Sequence, residues 1–229
     1  MEDLVAARIA RRCPAAYLTG KMWFAGHEFM IDDNVLIPRS PLGELLREAC
    51  VPWVEPAAVK RVLDIGTGSG CIAIAAAHAF PDACVDATDV SMPALRVARR
   101  NVDAHGLQER VTLHQADLFP PTSAPYDLIL ANPPYVPLAE RAELPAEYLH
   151  EPALALFAAD EGLALVKRIL RTAARKLGPR GVLLLDVGAT APALEAAFPG
   201  TAFLWVALRH GGDGIAVLTQ GELARIPLQ

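Results

Sequence analysis

The sequence predicts an α/β protein with a mostly parallel sheet, an antiparallel hairpin at one sheet edge, and a short helix and a β-hairpin in front. Three observations predict it. From Arg61 to Asp186, short apolar runs alternate with helical segments, as in parallel sheets. Asp64-Ile65-Gly66-Thr67-Gly68-Ser69-Gly70 makes a glycine-rich turn between an apolar strand and an Ala-rich helix. Tyr126 to Ala131 reads as a buried strand, cut off by Asn132-Pro133-Pro134-Tyr135, because two prolines cannot continue a strand or donate ladder hydrogen bonds.

Met1 to Arg12 predicts a short helix with Leu4, Val5 and Ile9 on one side. A helix of that length must pack on something to persist. Lys21 to Ile37 reads as a hairpin turning at Asp32-Asp33-Asn34, and Pro41 to Cys50 as the start of another helix. Arg61-Val62-Leu63 is the first strand of the sheet, and Cys71 to Ala79 the helix behind the glycines. Val85 to Val90 is the second strand, Val111 to His114 the third, Tyr126 to Ala131 the fourth, with Val182-Leu183-Leu184-Leu185 in a further one. Phe203 to Leu208 and Gly214 to Thr219 flank Gly211-Gly212-Asp213, which gives the antiparallel edge hairpin.

Candidate functional residues stand at four successive strand ends. Open α/β sheets bind ligands at that edge. The glycines at 66, 68 and 70 let a ligand approach the backbone, with helix N–H groups behind them. Their spacing is neither that of a dinucleotide fingerprint nor that of a P-loop. About 20 residues on, Asp89 closes the second strand where a ribose hydroxyl pair can be held, followed by Val90. Asp117 ends the third strand, where it can accept from an adenine amino group, and Leu118 can cover the ring. Asn132, Pro133, Pro134 and Tyr135 offer an amide, a carbonyl without competing N–H groups and an aromatic face, parts suited to holding a planar NH2 group. Taken singly, each acid is more often a helix cap or a solvated loop residue, and it is their ordered occurrence at the strand ends that favours the functional reading.

With those residues in view, the chain resembles the class I S-adenosylmethionine-dependent methyltransferases, with their Rossmann-like sheet. More narrowly it resembles the protein N(5)-glutamine methyltransferases. The narrower resemblance is carried by Ala16 to Gly20, Trp23 to Phe29, Val35-Leu36-Ile37-Pro38-Arg39-Ser40-Pro41, Asp64 to Gly70, Asn132 to Tyr135 and His150-Glu151-Pro152. It implies S-adenosylmethionine as cofactor, bound by Asp64, Gly66, Thr67, Gly68, Ser69, Gly70, Asp89, Val90, Asp117, Leu118 and Asn132. It implies Asn132, Pro133 and Tyr135 as the catalytic set, with Leu36 and Pro134 also touching substrate. Two branches matter. The release-factor branch usually reads Pro-Arg-Pro-Glu-Thr-Glu where this chain reads Pro38-Arg39-Ser40-Pro41-Leu42-Gly43. Phe203-Leu204-Trp205 and Gly211 to Gly214 also look like the other branch, which methylates a glutamine of the large-subunit ribosomal protein called L-three. Relatives carry a longer helical domain ahead of the hairpin. The expected organisation is therefore 1–20 as the remnant of that domain, 21–40 as a hairpin linker and 41–229 as the methyltransferase domain.

Such chemistry needs few strong groups. An amide nitrogen is a poor nucleophile, while a sulfonium methyl is strongly electrophilic, so alignment supplies most of the catalysis. The Asn132 side-chain oxygen and the Pro133 carbonyl would each accept one N–H, Tyr135 would stack on the amide, and Leu36 would line the opposite wall. The same Asn-Pro-Pro-Tyr logic serves adenine amino-methyltransferases acting on flipped bases, and a non-catalytic cofactor-binding module on ribosomal components is the reading from another class.

Composition narrows these choices. The 229 residues are 53% hydrophobic and 21% charged, a globular balance, with a net charge of −5. That charge argues against a broad phosphate-binding surface, so no direct nucleic-acid binding is expected, although Arg8, Arg11 and Arg12 make a local basic group. Cys13, Cys50, Cys71 and Cys84 lack metal or redox spacing and suggest reduced thiols in a cytoplasmic protein. No signal peptide or membrane span is legible, and no membrane contact is expected. His78, His105, His114 and His210 show no metal spacing, and His27 and His150 read as hydrogen-bonded structural residues. No metal is expected.

Overall fold

The computed structural model describes residues 2–122 and 124–227. Helix α1 (Glu2–Arg11) and the short α2 (Ala15–Thr19) lead into strands β1 (Lys21–Phe24) and β2 (His27–Met30). The hairpin between them turns at Ala25-Gly26, not at the expected Asp32-Asp33-Asn34. Phe24 pairs with His27, and both turn residues take positive φ, 50° and 92°. A two-residue turn of that kind matches the twist of its strands, and glycine at its second position carries the positive φ without strain. Asp32 instead makes a local Asx turn, its carboxylate accepting from the Asn34 backbone at 3.1 Å.

After α3 (Leu42–Arg47) come β3 (Arg61–Ile65), α4 (Cys71–Ala79), β4 (Cys84–Asp89), α5 (Met92–Ala104), β5 (Val111–Gln115) and β6 (Tyr126–Ala131). A two-residue strand β7 (Val136–Pro137) follows, then α6 (Ala153–Leu156), β8 (Phe157–Ala158), α7 (Ala164–Lys176) and β9 (Leu177–Asp186). The chain continues through α8 (Ala191–Ala197), β10 (Leu204–Trp205), β11 (Ile215–Thr219) and α9 (Gln220–Leu223). The main sheet has the order β10-β11-β9-β6-β3-β4-β5. Its β3, β4, β5, β6 and β9 run parallel, and the expected edge hairpin is β10 with β11, antiparallel to β9.

Strand alternation divides the interior in two. Val62, Leu128, Leu130 and Leu184 face α3, α4 and the leading hairpin, in one apolar cluster with Phe29, Leu42 and Ile74. Leu63, Ile129, Leu183 and Leu185 face the other way, onto Ile169 and Leu170 of α7. All of these side chains are buried. The order also sets a switch point. From β3 the chain winds outward through β4 and β5, then crosses back to place β6 on the other side of β3. Ile65 pairs with Ala131, so Gly66 and Asn132 leave the sheet side by side. Such a divergence opens a crevice at the carboxyl edge.

Helix α1 is docked through charge. Arg8 and Arg12 bind Glu147 at 2.9 and 2.7 Å, while Leu4, Val5 and Ile9 are exposed. The basic group of the sequence is thus partly neutralised within the fold. His150 has its expected structural contact, with the Arg11 carbonyl at 2.9 Å. No described helix is long and apolar enough to cross a membrane.

Candidate active site

A cavity of about 330 Å³ opens at the switch point, within the range that holds small ligands. Its back is the glycine loop. The Gly66 and Thr67 amides both donate to the Thr88 carbonyl, at 2.9 and 2.8 Å, which hangs the loop from the neighbouring strand. Gly68 has φ +54°, and a Cβ there would meet nothing within 4 Å. The backbone conformation, not crowding within the fold, calls for glycine, and the open space faces the cavity. Gly70 differs: a Cβ on it would stand 3.3 Å from the Ala98 Cβ, so its absence lets α5 close on α4.

Asp64 lies beneath the loop, fully buried. Its Oδ2 accepts from the Thr67 hydroxyl at 2.6 Å and the Ala73 amide at 3.1 Å, while Oδ1 has no partner among the described residues. Burial pushes its carboxyl up to about 7 against those two hydrogen bonds, and Asp89 adds to the rise. A cationic ligand group would favour its ionised form. Asp89 is held flat against the loop, Oδ2 accepting from Gly68 at 2.9 Å and Oδ1 from Ser91 at 2.8 Å. Its carboxyl is also raised, chiefly by burial. Val90, half exposed, lines the same wall.

Asp117 and Leu118 border the cavity farther out. Asp117 is largely exposed and bound to Arg168 of α7 at 2.7 Å, so an adenine amino group would share that carboxylate with an arginine. Leu118 takes φ +69°, uncommon for a residue with a side chain. The Thr88 hydroxyl holds that turn by donating to the Leu118 carbonyl at 2.7 Å.

At the end of β6, Asn132, Pro133 and Pro134 line the cavity. The Asn132 Oδ1 is buried and has no partner among the described residues. Leaving such an acceptor unmatched costs about 1–3 kcal/mol, so a ligand N–H has a place here. Tyr135 stands apart from the cavity lining and packs its ring on Gly188, where a Cβ would come within 2.8 Å of the tyrosine hydroxyl. Burial pushes its hydroxyl up to about 12. It is thus set to shape the loop from behind, and stacking on a ligand would require it to turn.

The front wall is Leu36 and Pro38. Three side chains hold that segment. Glu151 accepts from the Ile37 amide at 3.0 Å and from Arg39 at 2.8 Å, and Tyr17 donates to the Val35 carbonyl at 2.7 Å. Arg39 also lies over the Tyr148 ring, 4.9 Å from its centre. Ser40 donates to Asp186 at 2.7 Å and accepts from the Leu42 amide at 3.2 Å. Burial pushes the Asp186 carboxyl up to about 6 against its bonds from Ser40 and Gly188.

Sequence reasoning missed Asn101. Its amide accepts from the Met30 backbone at 2.8 Å and donates to the Met30 and Ser69 carbonyls at 3.0 and 2.8 Å. One buried side chain thereby ties the leading hairpin to the glycine loop. A signal was present: Asn101 continues the apolar stripe of Ala94, Val97 and Ala98, and a polar residue in such a stripe needs partners. Nothing local marked Asp186 or the Ser40 contact.

Comparison with known proteins gives a consistent result. Residues 48–198 match the methyltransferase small domain. The ribosomal protein uL3 glutamine methyltransferase of Bordetella pertussis is 51% identical over 223 residues, covering 96% of this chain and 75% of the relative. The enzyme of that name from Burkholderia pseudomallei is 44% identical over 232 residues, covering 97% and 76%. A methyltransferase from Pyrococcus furiosus has the same fold at 16% identity, with a TM-score of 0.61 over 96% of this chain and 99% of that one.

Proposed function

The chain belongs to the ribosomal protein uL3 glutamine methyltransferases, within the methyltransferase small domain family, and from that premise we propose that it methylates the side-chain amide nitrogen of a glutamine in large-subunit ribosomal protein uL3, using S-adenosylmethionine. The observation that carries the acceptor chemistry is the unmatched Asn132 Oδ1 in the cavity wall.

The chain's own residues divide the work. Asp64 and the Gly66 to Gly70 loop would hold the cofactor's amino-acid end, and Asp89 its ribose hydroxyls. Val90, Asp117 and Leu118 would border the adenine. When bound, the cofactor supplies an electrophilic methyl group on a sulfonium. Asn132 Oδ1 and the Pro133 carbonyl would each accept an N–H of the glutamine amide, setting its plane and aiming its nitrogen. Both acceptors bind that NH2 more strongly as positive charge develops on it, so they favour the transition state over the ground state. The amide nitrogen would gain the methyl carbon as that carbon leaves the sulfur, and it would lose one N–H proton to water. Leu36 and Pro38 would exclude water from the front, and Pro134 would hold the loop's direction. Tyr135 would complete the acceptor slot by stacking after a rotation, or by buttressing the loop where it stands.

A basic ribosomal protein not yet covered by RNA suits a chain of net charge −5, since attraction speeds encounter and weakens with salt. The test is mass spectrometry of purified uL3, a peptide release factor and DNA after incubation with enzyme and cofactor. One added methyl on a uL3 glutamine is expected. Methylation of the release factor alone would overturn the substrate while leaving the chemistry standing. Methylated adenine would overturn both substrate and acceptor class, and modification of none would leave a cofactor-binding module.

A further inference from the structure

We propose that His27, His78 and His105 form a Zn2+ site that clips the leading hairpin to the ends of α4 and α5. The three come from separate elements: the first residue of β2, the last turn of α4 and the cap following α5. One ring nitrogen of each lies within 4.8 Å of the other two. No sequence motif joins residues so far apart, which is why their spacing gave no sign of a site.

The geometry suits zinc in two respects. First, His105 Nε2 is 3.0 Å from the Glu28 carbonyl. A carbonyl can only accept, so Nε2 carries the proton and Nδ1 keeps its lone pair. An imidazole oriented through its other nitrogen by a backbone carbonyl is a common arrangement in metal centres. Second, His78 Nε2 stands 3.3 Å from that Nδ1. Two nitrogens bound to tetrahedral zinc at about 2.0–2.1 Å lie about 3.4 Å apart. This pair therefore already has the spacing that a shared ion needs. The ion would sit to one side of the line between these nitrogens, with both rings turning to aim at it, and His78 would carry its own proton on Nδ1. The nearby Arg110 guanidinium is turned to the Ala77, Phe80 and Ala83 carbonyls, where its charge is engaged.

His27 must turn as well. Its ring lies nearly parallel to His78, with centres 4.3 Å apart, so it must rotate to aim a nitrogen at the common point. It follows the Ala25-Gly26 turn and is incompletely buried, which leaves room for that rotation. His78 is exposed, and water from that side would complete a fourth position. Imidazole ligands without thiolate or carboxylate favour zinc among the abundant divalent ions and exclude calcium and magnesium. The bound ion would restrain β2 at one end, while Asn101 holds Met30 at the other. It would thus stiffen the strand that leads to Leu36, from a position outside the cavity.

The test uses the full chain without an affinity tag, stripped of metal by a chelator. Zn2+ is titrated by calorimetry and Co2+ by its visible absorption, and thermal unfolding is followed with and without Zn2+. One ion per chain and a higher unfolding midpoint with Zn2+ are expected. His78→Ala and, separately, His27→Gln should each weaken binding by roughly 100-fold or more, at least the loss seen when a mere supporting partner is removed. His210→Ala, on a different surface beside Glu44, should leave it unchanged. Far-UV circular dichroism checks that each variant folds. Absence of one-to-one binding at micromolar Zn2+, or binding that neither substitution disturbs, would overturn the site and leave a cluster of packed histidine rings.

Discussion

The back and front walls of the cavity are built by opposite means. The back wall is a backbone loop, held by Thr88 and Asp89 of the neighbouring strand and by Asp64 just before it: Gly66 and Thr67 on Thr88, Gly68 on Asp89, Thr67 on Asp64. The front wall is side chain, held across long stretches of sequence: Arg39 on Glu151, Ser40 on Asp186, Tyr17 on Val35. The difference teaches where cofactor binding and substrate choice can separate. A backbone cradle accepts one cofactor shape and tolerates little change. A wall of paired side chains can be rebuilt for another acceptor while the cradle stands. Ser40, which departs from the release-factor branch pattern, belongs to the front wall.

Asn132 stands where the walls meet, and the largest effect is expected there. Asn132→Ala should lower turnover by roughly 10²-fold or more, as removal of one preorganised polar partner does. The variant should still fold, because Pro133 and Pro134 already shape the loop. Single-turnover methylation checks this, and equal rates in mutant and parent would sink the acceptor role.

The back wall should respond through cofactor affinity alone. Asp89→Ala should cost about 1–3 kcal/mol of cofactor binding by unpairing its partners. Gly68→Val should cost more, because a β-branched residue resists φ +54° and its side chain enters the cavity. Calorimetry with S-adenosylmethionine reads both. Unchanged affinity in Asp89→Ala would remove that residue from the site.

The front wall should respond through the acceptor. Glu151→Ala leaves Arg39 and the Ile37 amide without their common acceptor, so KM for the protein substrate should rise several-fold. Cofactor affinity should stay within about twofold, as it does for changes that leave a ligand's own contacts intact. Equal loss of both affinities would show that the two walls are not separable.

The smallest effect is a pH dependence at Asp186. Its folded-state carboxyl is raised to about 6, above its ordinary value. The stability it contributes is therefore full below the unfolded value near 4 and is lost as pH rises through about 6. Asp186→Asn mimics the protonated form and has no such titration. Relative to the parent, the variant should gain on the order of 2 kcal/mol between pH 4 and pH 7. Denaturant unfolding of both proteins across that window reads the difference, and parallel curves would count against a buried, strained carboxyl there. Asp64, raised to about 7 by burial, titrates in both proteins and cancels from the comparison.

The sequence by itself determined the sheet and the back wall. The strand at Arg61, the helix from Cys71 to Ala79 and the strand from Tyr126 to Ala131 follow from periodicity and breakers, which act over a few residues. Asp89 was legible because it ends a strand beside the glycines. Tertiary structure alone decided the rest. Asp32-Asp33-Asn34 and Ala25-Gly26 are both acceptable turns, and the choice fell to the turn that lets β2 lay Phe29 in the core and Met30 against Asn101. Only the fold assigned Arg168 to Asp117, turned Tyr135 onto Gly188 and gathered three histidines from three elements. The physical reason is the same in each case. A local pattern records what a residue prefers within a few positions of chain, whereas the partner of a buried or charged side chain is chosen by packing that brings distant segments together.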